Sequence, residues 1–139
     1  MEIPEKLKKA REFHGHLGPW LVLGIRIGED AVSALNARRF FGLRVHVKAP
    51  EQPPPSCIVD GLQLSTGCTY GKRNIELQPC EQVEVVITNT DTNQARTYRV
   101  EDWFLNEARR RIQEEGEDAA SLWAWETDGL FRVLNAEGG

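Results

Sequence analysis

Apolar residues recur at helical spacing in some stretches of the chain and at alternate positions in others, and each stretch predicts its own element. From Pro19 to about Asn36, Leu21, Ile25, Val32 and Leu35 form one stripe, with Trp20, Ile27 and Ala31 beside it. Arg26, Glu29, Asp30 and Ser33 take the wet side. So broad an apolar surface predicts a central helix, opened by Pro19 at a first-turn position. Gly24 and Gly28, four residues apart, leave a shallow strip where another element can approach. A shorter amphipathic helix is predicted over Pro4 to Glu12, through Leu7, Ala10 and Arg11. Late in the chain, Asp102 to Glu115 places Phe104, Ala108 and Ile112 on one face and stops near Gly116. Asp118 to Thr127, carrying Leu122, Trp123 and Trp125, reads as a last helix.

Period-two alternation predicts a half-buried strand at Leu43 to Lys48. Further strands are expected at Ile75 to Gln78, Gln82 to Thr88 and Arg96 to Val100, the last two joined by turn chemistry at Asn89-Thr90-Asp91-Thr92-Asn93. Pro50 and Pro53-Pro54-Pro55 break the first strand into a stiff loop, after which Ser56 is placed to cap a short helix from Cys57 to about Leu64. Two glycine-marked loops remain, Phe13 to Gly18 and Thr66 to Lys72. There is no internal repeat, and the tail Glu137-Gly138-Gly139 is expected to fray.

Composition narrows the possibilities. A chain of 139 residues is one domain's worth, 1–139, with room for a single core. Lysine and arginine number 17 against 21 acids, a net charge of -4, which argues against bulk binding to nucleic acid or an anionic membrane. No apolar run approaches the roughly 20 residues of a membrane span, and the N-terminus lacks signal-peptide architecture, so a cytoplasmic location is expected. Cys57, Cys68 and Cys80 contain no CxxC pair, which removes disulfide-framework, zinc-finger and thioredoxin readings. Any metal would have to be held by residues distant in sequence.

Four groups could carry chemistry. In an extended loop His14 and His16 would point to one side, and Gly15 would let both imidazoles converge just before the N-terminus of the long helix, which favours anions. For an arbitrary close pair the commoner arrangement is one buried and one exposed histidine. His46 reads instead as a partly exposed sheet residue. Cys57 falls in the first turn of its predicted helix, where the dipole favours the thiolate, and Asp60 one turn on could orient an imidazole. A cysteine in an apolar helix is nevertheless more often core filler. Cys68 could approach from the glycine-rich loop, whereas Cys80 looks incidental. Gly67 to Lys72 fails the phosphate-loop pattern, with three residues in place of four between glycines and Arg73 after the lysine. Its amides, the Thr66 and Thr69 hydroxyls, Lys72 and Arg73 could still hold a carboxylate or phosphate; the alternative, a turn with two solvated cations, is equally weighted. Trp103, Phe104, Trp123 and Trp125 fit core or subunit packing.

Taken in order, Phe13-His14-Gly15-His16-Leu17-Gly18-Pro19, Gly24-Ile25-Arg26, Ser56-Cys57-Ile58-Val59-Asp60-Gly61-Leu62-Gln63 and Thr66-Gly67-Cys68-Thr69-Tyr70-Gly71-Lys72-Arg73-Asn74 resemble the FmdE-like family of formylmethanofuran dehydrogenase proteins. Its pattern is roughly FHGHxCPG followed by CxxDAIQxxTGCTxGKGN, and the match is strong over about residues 10 to 80. The resemblance implies an α+β single domain, a mostly antiparallel sheet packed by the long central helix and the C-terminal helices. It also implies a homodimer, and a metal-capable cleft lined by the histidine loop and the cysteine segment. Members are linked by name to a molybdenum or tungsten redox enzyme, an implied partner. Gly18 stands where the family has cysteine, Trp20 where it has glycine, Gly61 for alanine and Arg73 for glycine.

The residues left for metal are His14, His16 and Cys57, with Cys68 as a further thiol. Imidazole plus thiolate suits zinc or another late first-row divalent ion. For catalysis the candidates are His16 as base, Cys57 as nucleophile and Asp60 as orienting group. For a small anionic ligand they are Thr66, Cys68, Thr69, Lys72 and Arg73. The competing reading is a non-catalytic accessory protein that carries a metal or cofactor to a redox enzyme.

Overall fold

A computed structural model describes residues 1–135 of the chain. Leu43, Val45, Val47 and Ala49 are buried while Arg44, His46 and Lys48 are not, so the alternation in this stretch marks a sheet with one covered face. This strand, β1 (Leu43–Ala49), is flanked by β2 (Ile75–Pro79) and β3 (Glu84–Asn89), followed by β4 (Gln94–Val100) and β5 (Phe131–Asn135) in the order β2-β1-β3-β4-β5. β1 and β2 run parallel, and the other neighbours are antiparallel. The helices are α1 (Glu5–His14), α2 (Pro19–Ala34), α3 (Ile58–Thr66), α4 (Phe104–Glu115) and α5 (Glu117–Glu126). The expected α+β architecture is therefore present. Among the described residues no helix is long and apolar enough to cross a membrane.

α2 is the central helix: ten of its residues are buried, and it packs against α3 and α5. The strip at Gly24 and Gly28 is where α3 crosses. A Cβ on Gly24 would lie 2.3 Å from the Ile58 carbonyl oxygen, and one on Gly61 2.1 Å from the Leu21 carbonyl oxygen. The two backbones touch, which only glycine allows. Ser65 closes the crossing by donating its hydroxyl to the Gly24 carbonyl of α2 at 3.2 Å, shared with the Gly61 carbonyl of its own helix at 2.9 Å. On the sheet side, Asn89 is buried and donates to the Leu35 carbonyl at 2.9 Å, while its Oδ1 accepts the Asp91 N–H at 2.9 Å. One side chain thus sets the hairpin turn and ties it to the end of α2.

Several expected boundaries move. α1 runs two residues past Glu12, so His14 lies on its last turn and Gly15 caps it in left-handed backbone at φ 104°. Ser56 does not cap α3. It lies inside a 3-10 turn, Pro55–Cys57, whose helical backbone denies it the extended conformation a capping side chain needs. Cys57 is the residue preceding the helix, and no side chain caps it. Trp103 is about half exposed. β5 was not anticipated. The tail at 137–139 lies outside the described residues.

Candidate functional site

The end of α1 and the start of α3 bring together the residues expected to carry chemistry. His14 Nδ1–H donates to Asp60 Oδ2 at 2.6 Å, joining the last turn of α1 to the first turn of α3. The His16 ring lies 4.7 Å from the His14 ring, centroid to centroid, with the planes tilted by 41°. The two rings meet although the extended loop imagined for them is absent. His14 points from a helix, and the left-handed turn at Gly15 reverses the chain so that His16 folds back beside it.

Both rings are oriented by oxygen acceptors. His16 Nδ1 donates to the Leu17 carbonyl at 2.8 Å and to Glu117 Oε2 at 2.9 Å. With Nδ1 carrying the proton in each ring, the lone pairs lie on Nε2, the arrangement of a histidine set up as a metal ligand or base. His14 is mostly buried and His16 half exposed, so the pair spans from interior to solvent. Glu117, on the first turn of α5, was not foreseen. It is 101 positions from His16 and has no local signature in the chain.

Cys57 precedes Asp60 by one helical turn and is half buried. The thiolate expected from the helix dipole is corrected here. Burial pushes the Cys57 thiol up, and the Asp60 carboxylate beside it pushes the same way. A cation brought to the site would oppose both effects.

The glycine-rich segment divides in two. Thr66 and Cys68 face inward, away from any ligand. The Thr66 hydroxyl donates to the Leu62 carbonyl at 2.6 Å and accepts the Cys68 N–H at 3.1 Å, and the Cys68 thiol donates to the Leu43 carbonyl at 3.4 Å. Both are fully buried, and burial pushes the Cys68 thiol up against the pull of Thr66, Lys72 and Arg44. They are parts of the core. Thr69, Lys72 and Arg73 stay at the surface, with Lys72 Nζ donating to the Thr69 hydroxyl at 3.1 Å and Arg73 lying 4.6 Å over the Tyr70 ring.

A cavity of about 500 Å³ lies between Asp60 and Arg73, bounded also by Gln63, Tyr70, Glu76 and Leu77; the two histidines, Cys57, Thr69 and Lys72 do not line it. Its size is that of a small-molecule pocket. Gln63 and Tyr70 are further residues that residue type and spacing did not single out; Gln63 Oε1 accepts the Tyr70 N–H at 3.0 Å and so fixes the loop over the cavity. A second hollow of about 490 Å³, between α1, α2 and α3, holds none of the candidate residues. His46 stands apart on the sheet surface, against Glu76 at 3.1 Å and Gln78 at 2.9 Å. Cys80 is exposed beyond β2.

For a metal ion the donors present are imidazole, thiol and carboxylate, the set zinc takes. Among the described residues no three such side chains stand close enough to form a centre unaided. The gap has a location: a Cβ on Gly18 would sit 3.9 Å from His16 Cε1, ordinary contact distance, on extended backbone that accepts any side chain. A side chain fits there beside the histidines, and this chain has none.

Comparison with known proteins gives three findings. The family model described as "FmdE, Molybdenum formylmethanofuran dehydrogenase operon" matches residues 13–137. A protein of Archaeoglobus fulgidus named "Probable S-adenosyl-L-methionine-binding protein" is 30% identical over 138 residues, covering 88% of this chain, and the chain spans only 37% of that relative's length. Among solved structures, a tungsten formylmethanofuran dehydrogenase FmdE-like protein from Syntrophus aciditrophicus superposes with a TM-score of 0.57 at 19% identity, covering 93% of this chain and 68% of that one. At that identity the likeness concerns the fold.

Proposed function

The chain belongs to the FmdE family, and on that premise we propose that it binds a divalent metal ion, zinc being the best match to its donors, together with a small anion-bearing ligand. The observation that carries this reading is the pair of imidazoles, rings 4.7 Å apart, each with Nδ1 tied to oxygen. His14 and His16 would hold the ion through Nε2, with Cys57 as the thiolate donor. Asp60 holds His14 in the required tautomer and orientation. The missing side chain at Gly18 leaves room for a ligand atom or water. A bound zinc would polarise that ligand or lower the pKa of the water. The chain's own residues then divide the remaining work: His16, half exposed, as base when it is not a ligand, Arg73 as the anion-holding group on the cavity wall, and Thr69 and Lys72 as neighbouring donors on the same loop.

Metal analysis of protein purified without an affinity tag tests the reading, alongside His16→Ala and Cys57→Ala variants. Stoichiometric metal in the native protein and a large loss in either variant are expected. No metal in the native protein after incubation with zinc would remove the site. The homodimer is part of the same proposal, and light scattering of the native protein at micromolar concentration checks it.

A second reading, that the protein hands a metal or cofactor to a redox enzyme, is favoured by the openness of the rim. His16 is half exposed, and Phe13 next to it projects into solvent. Co-purification with a molybdenum or tungsten enzyme is its expected signature. The name of the Archaeoglobus fulgidus relative makes S-adenosyl-L-methionine a ligand to titrate in both cases.

A further inference from the structure

Beside the cavity, the chain is held in a conformation that it would avoid alone, and Tyr70 and Arg73 of this region line the cavity itself. Phe40 and Arg73, neither a glycine, both adopt left-handed backbone, at φ 75° and 60°. Asn74 pins the two loops together: its Nδ2 donates to the Phe40 carbonyl at 2.7 Å and its Oδ1 accepts the Thr69 N–H at 3.0 Å. The Phe40 N–H donates to the Thr66 carbonyl at 2.9 Å, and its ring fills the space over Gly67, where a Cβ would fall 2.4 Å from Phe40 Cδ1. What this fastening presents to water is aromatic. Phe41 is 72% and Tyr70 71% exposed, with Lys72 Nζ 5.5 Å from the Phe41 ring centre and the Arg73 guanidinium 4.6 Å from that of Tyr70. Exposed rings interleaved with cations, on a pre-set backbone, make a stacking surface.

Charge along the cavity points the same way. Its two carboxylates already face imidazoles, Asp60 with His14 at 2.6 Å and Glu76 with His46 at 3.1 Å. Arg73, among the described residues, pairs with no carboxylate. A guanidinium lying on a ring offers its outer face for stacking and its N–H edge for an anion. The net charge of -4 disfavours a polynucleotide, and a cavity of about 500 Å³ suits one mononucleotide-sized molecule.

We infer that the ligand of this cleft carries a planar heteroaromatic ring and an anionic arm, as a nucleotide does, with its ring against Tyr70 and its anion at Arg73. The inference rests on the reading of the cleft as a ligand site. It names the part of the ligand that lies away from the histidines.

The test is calorimetric titration of the native protein with adenosine 5′-monophosphate, adenosine and inorganic phosphate. The nucleotide is expected to bind tightest, adenosine about tenfold more weakly, and phosphate more weakly again. Tyr70→Ala should weaken the nucleotide about tenfold while Tyr70→Phe keeps it, since the ring and not the hydroxyl is the platform. Arg73→Asn, which tolerates the left-handed backbone, should bring the nucleotide down to adenosine. A nucleotide that binds no better than phosphate, or equally well to Tyr70→Ala, overturns the inference, as does absence of binding at millimolar concentration. Zinc content measured on the same samples separates this failure from failure of the metal site, because Tyr70 and Arg73 variants should leave it unchanged.

Discussion

Glycines serve opposite purposes at the α2–α3 crossing and just before the first turn of α2. At Gly24 and Gly61 a side chain would drive into a carbonyl oxygen of the facing helix, at 2.3 and 2.1 Å, so the glycines are what permits α2 and α3 to cross. At Gly18 the same atom would meet only His16 Cε1, at 3.9 Å, and the backbone is ordinary extended chain. The crossing has glycine because nothing else fits; the position before α2 has glycine although something else would. The fold thus demands its first pair of glycines, while the third limits the donors that the proposed metal site would offer.

Substitution by alanine should separate the crossing from the start of α2. Gly61→Ala is expected to cost about 3 kcal/mol or more in chemical denaturation, because backbone must move. Gly28→Ala is expected to cost somewhat less, about 2–3 kcal/mol: its Cβ would strike the Ser65 hydroxyl at 1.8 Å, which can turn away at the loss of its bonds to Gly24 and Gly61, but the Ser65 Cβ at 2.8 Å still forces a small shift of α3. Gly18→Ala should stay within about 0.5 kcal/mol of the native protein. A large loss at Gly18, or none at Gly61, would erase the distinction.

Much of this was legible in the sequence, and the failures share a cause. α2, the β3–β4 hairpin and the close-packing strip at Gly24 and Gly28 follow from local pattern, because periodicity and turn chemistry are written within about ten residues. β5 was missed since Phe131–Asn135 becomes a strand by pairing with β4, some thirty residues back. The parallel alignment of β2 on β1 likewise depends on contacts between distant segments. In the site, His14, Asp60 and Cys57 were singled out by residue type, and Asp60 does lie against an imidazole, at 2.6 Å from His14; the local settings assumed for His14 and Cys57 are the ones that differ. His14 sits on a helix and Cys57 is kept protonated by burial and Asp60. Thr66 and Cys68 were misplaced because a glycine-rich loop suggests solvent, whereas this one turns its first half into the core. Glu117 could be found only in three dimensions.

The smallest expected effect concerns that thiol. In metal-free protein, iodoacetamide at neutral pH should label exposed Cys80 before Cys57, with labelling of Cys57 rising as pH is raised through its elevated pKa. Asp60→Asn removes the neighbouring charge and should speed Cys57 labelling a few-fold, as read by mass spectrometry. Equal labelling of Cys57 in the two proteins would mean that Asp60 does not act on it.

The claim that the histidines form a metal site with one donor missing is tested most directly by zinc competition against a chromophoric chelator. The native protein, His14→Ala and Gly18→Cys are compared in one titration. His14→Ala is expected to weaken zinc binding by roughly tenfold or more, and Gly18→Cys to strengthen it by a similar factor, since a thiolate there would stand beside His16. Zinc affinity unchanged in both variants would contradict it.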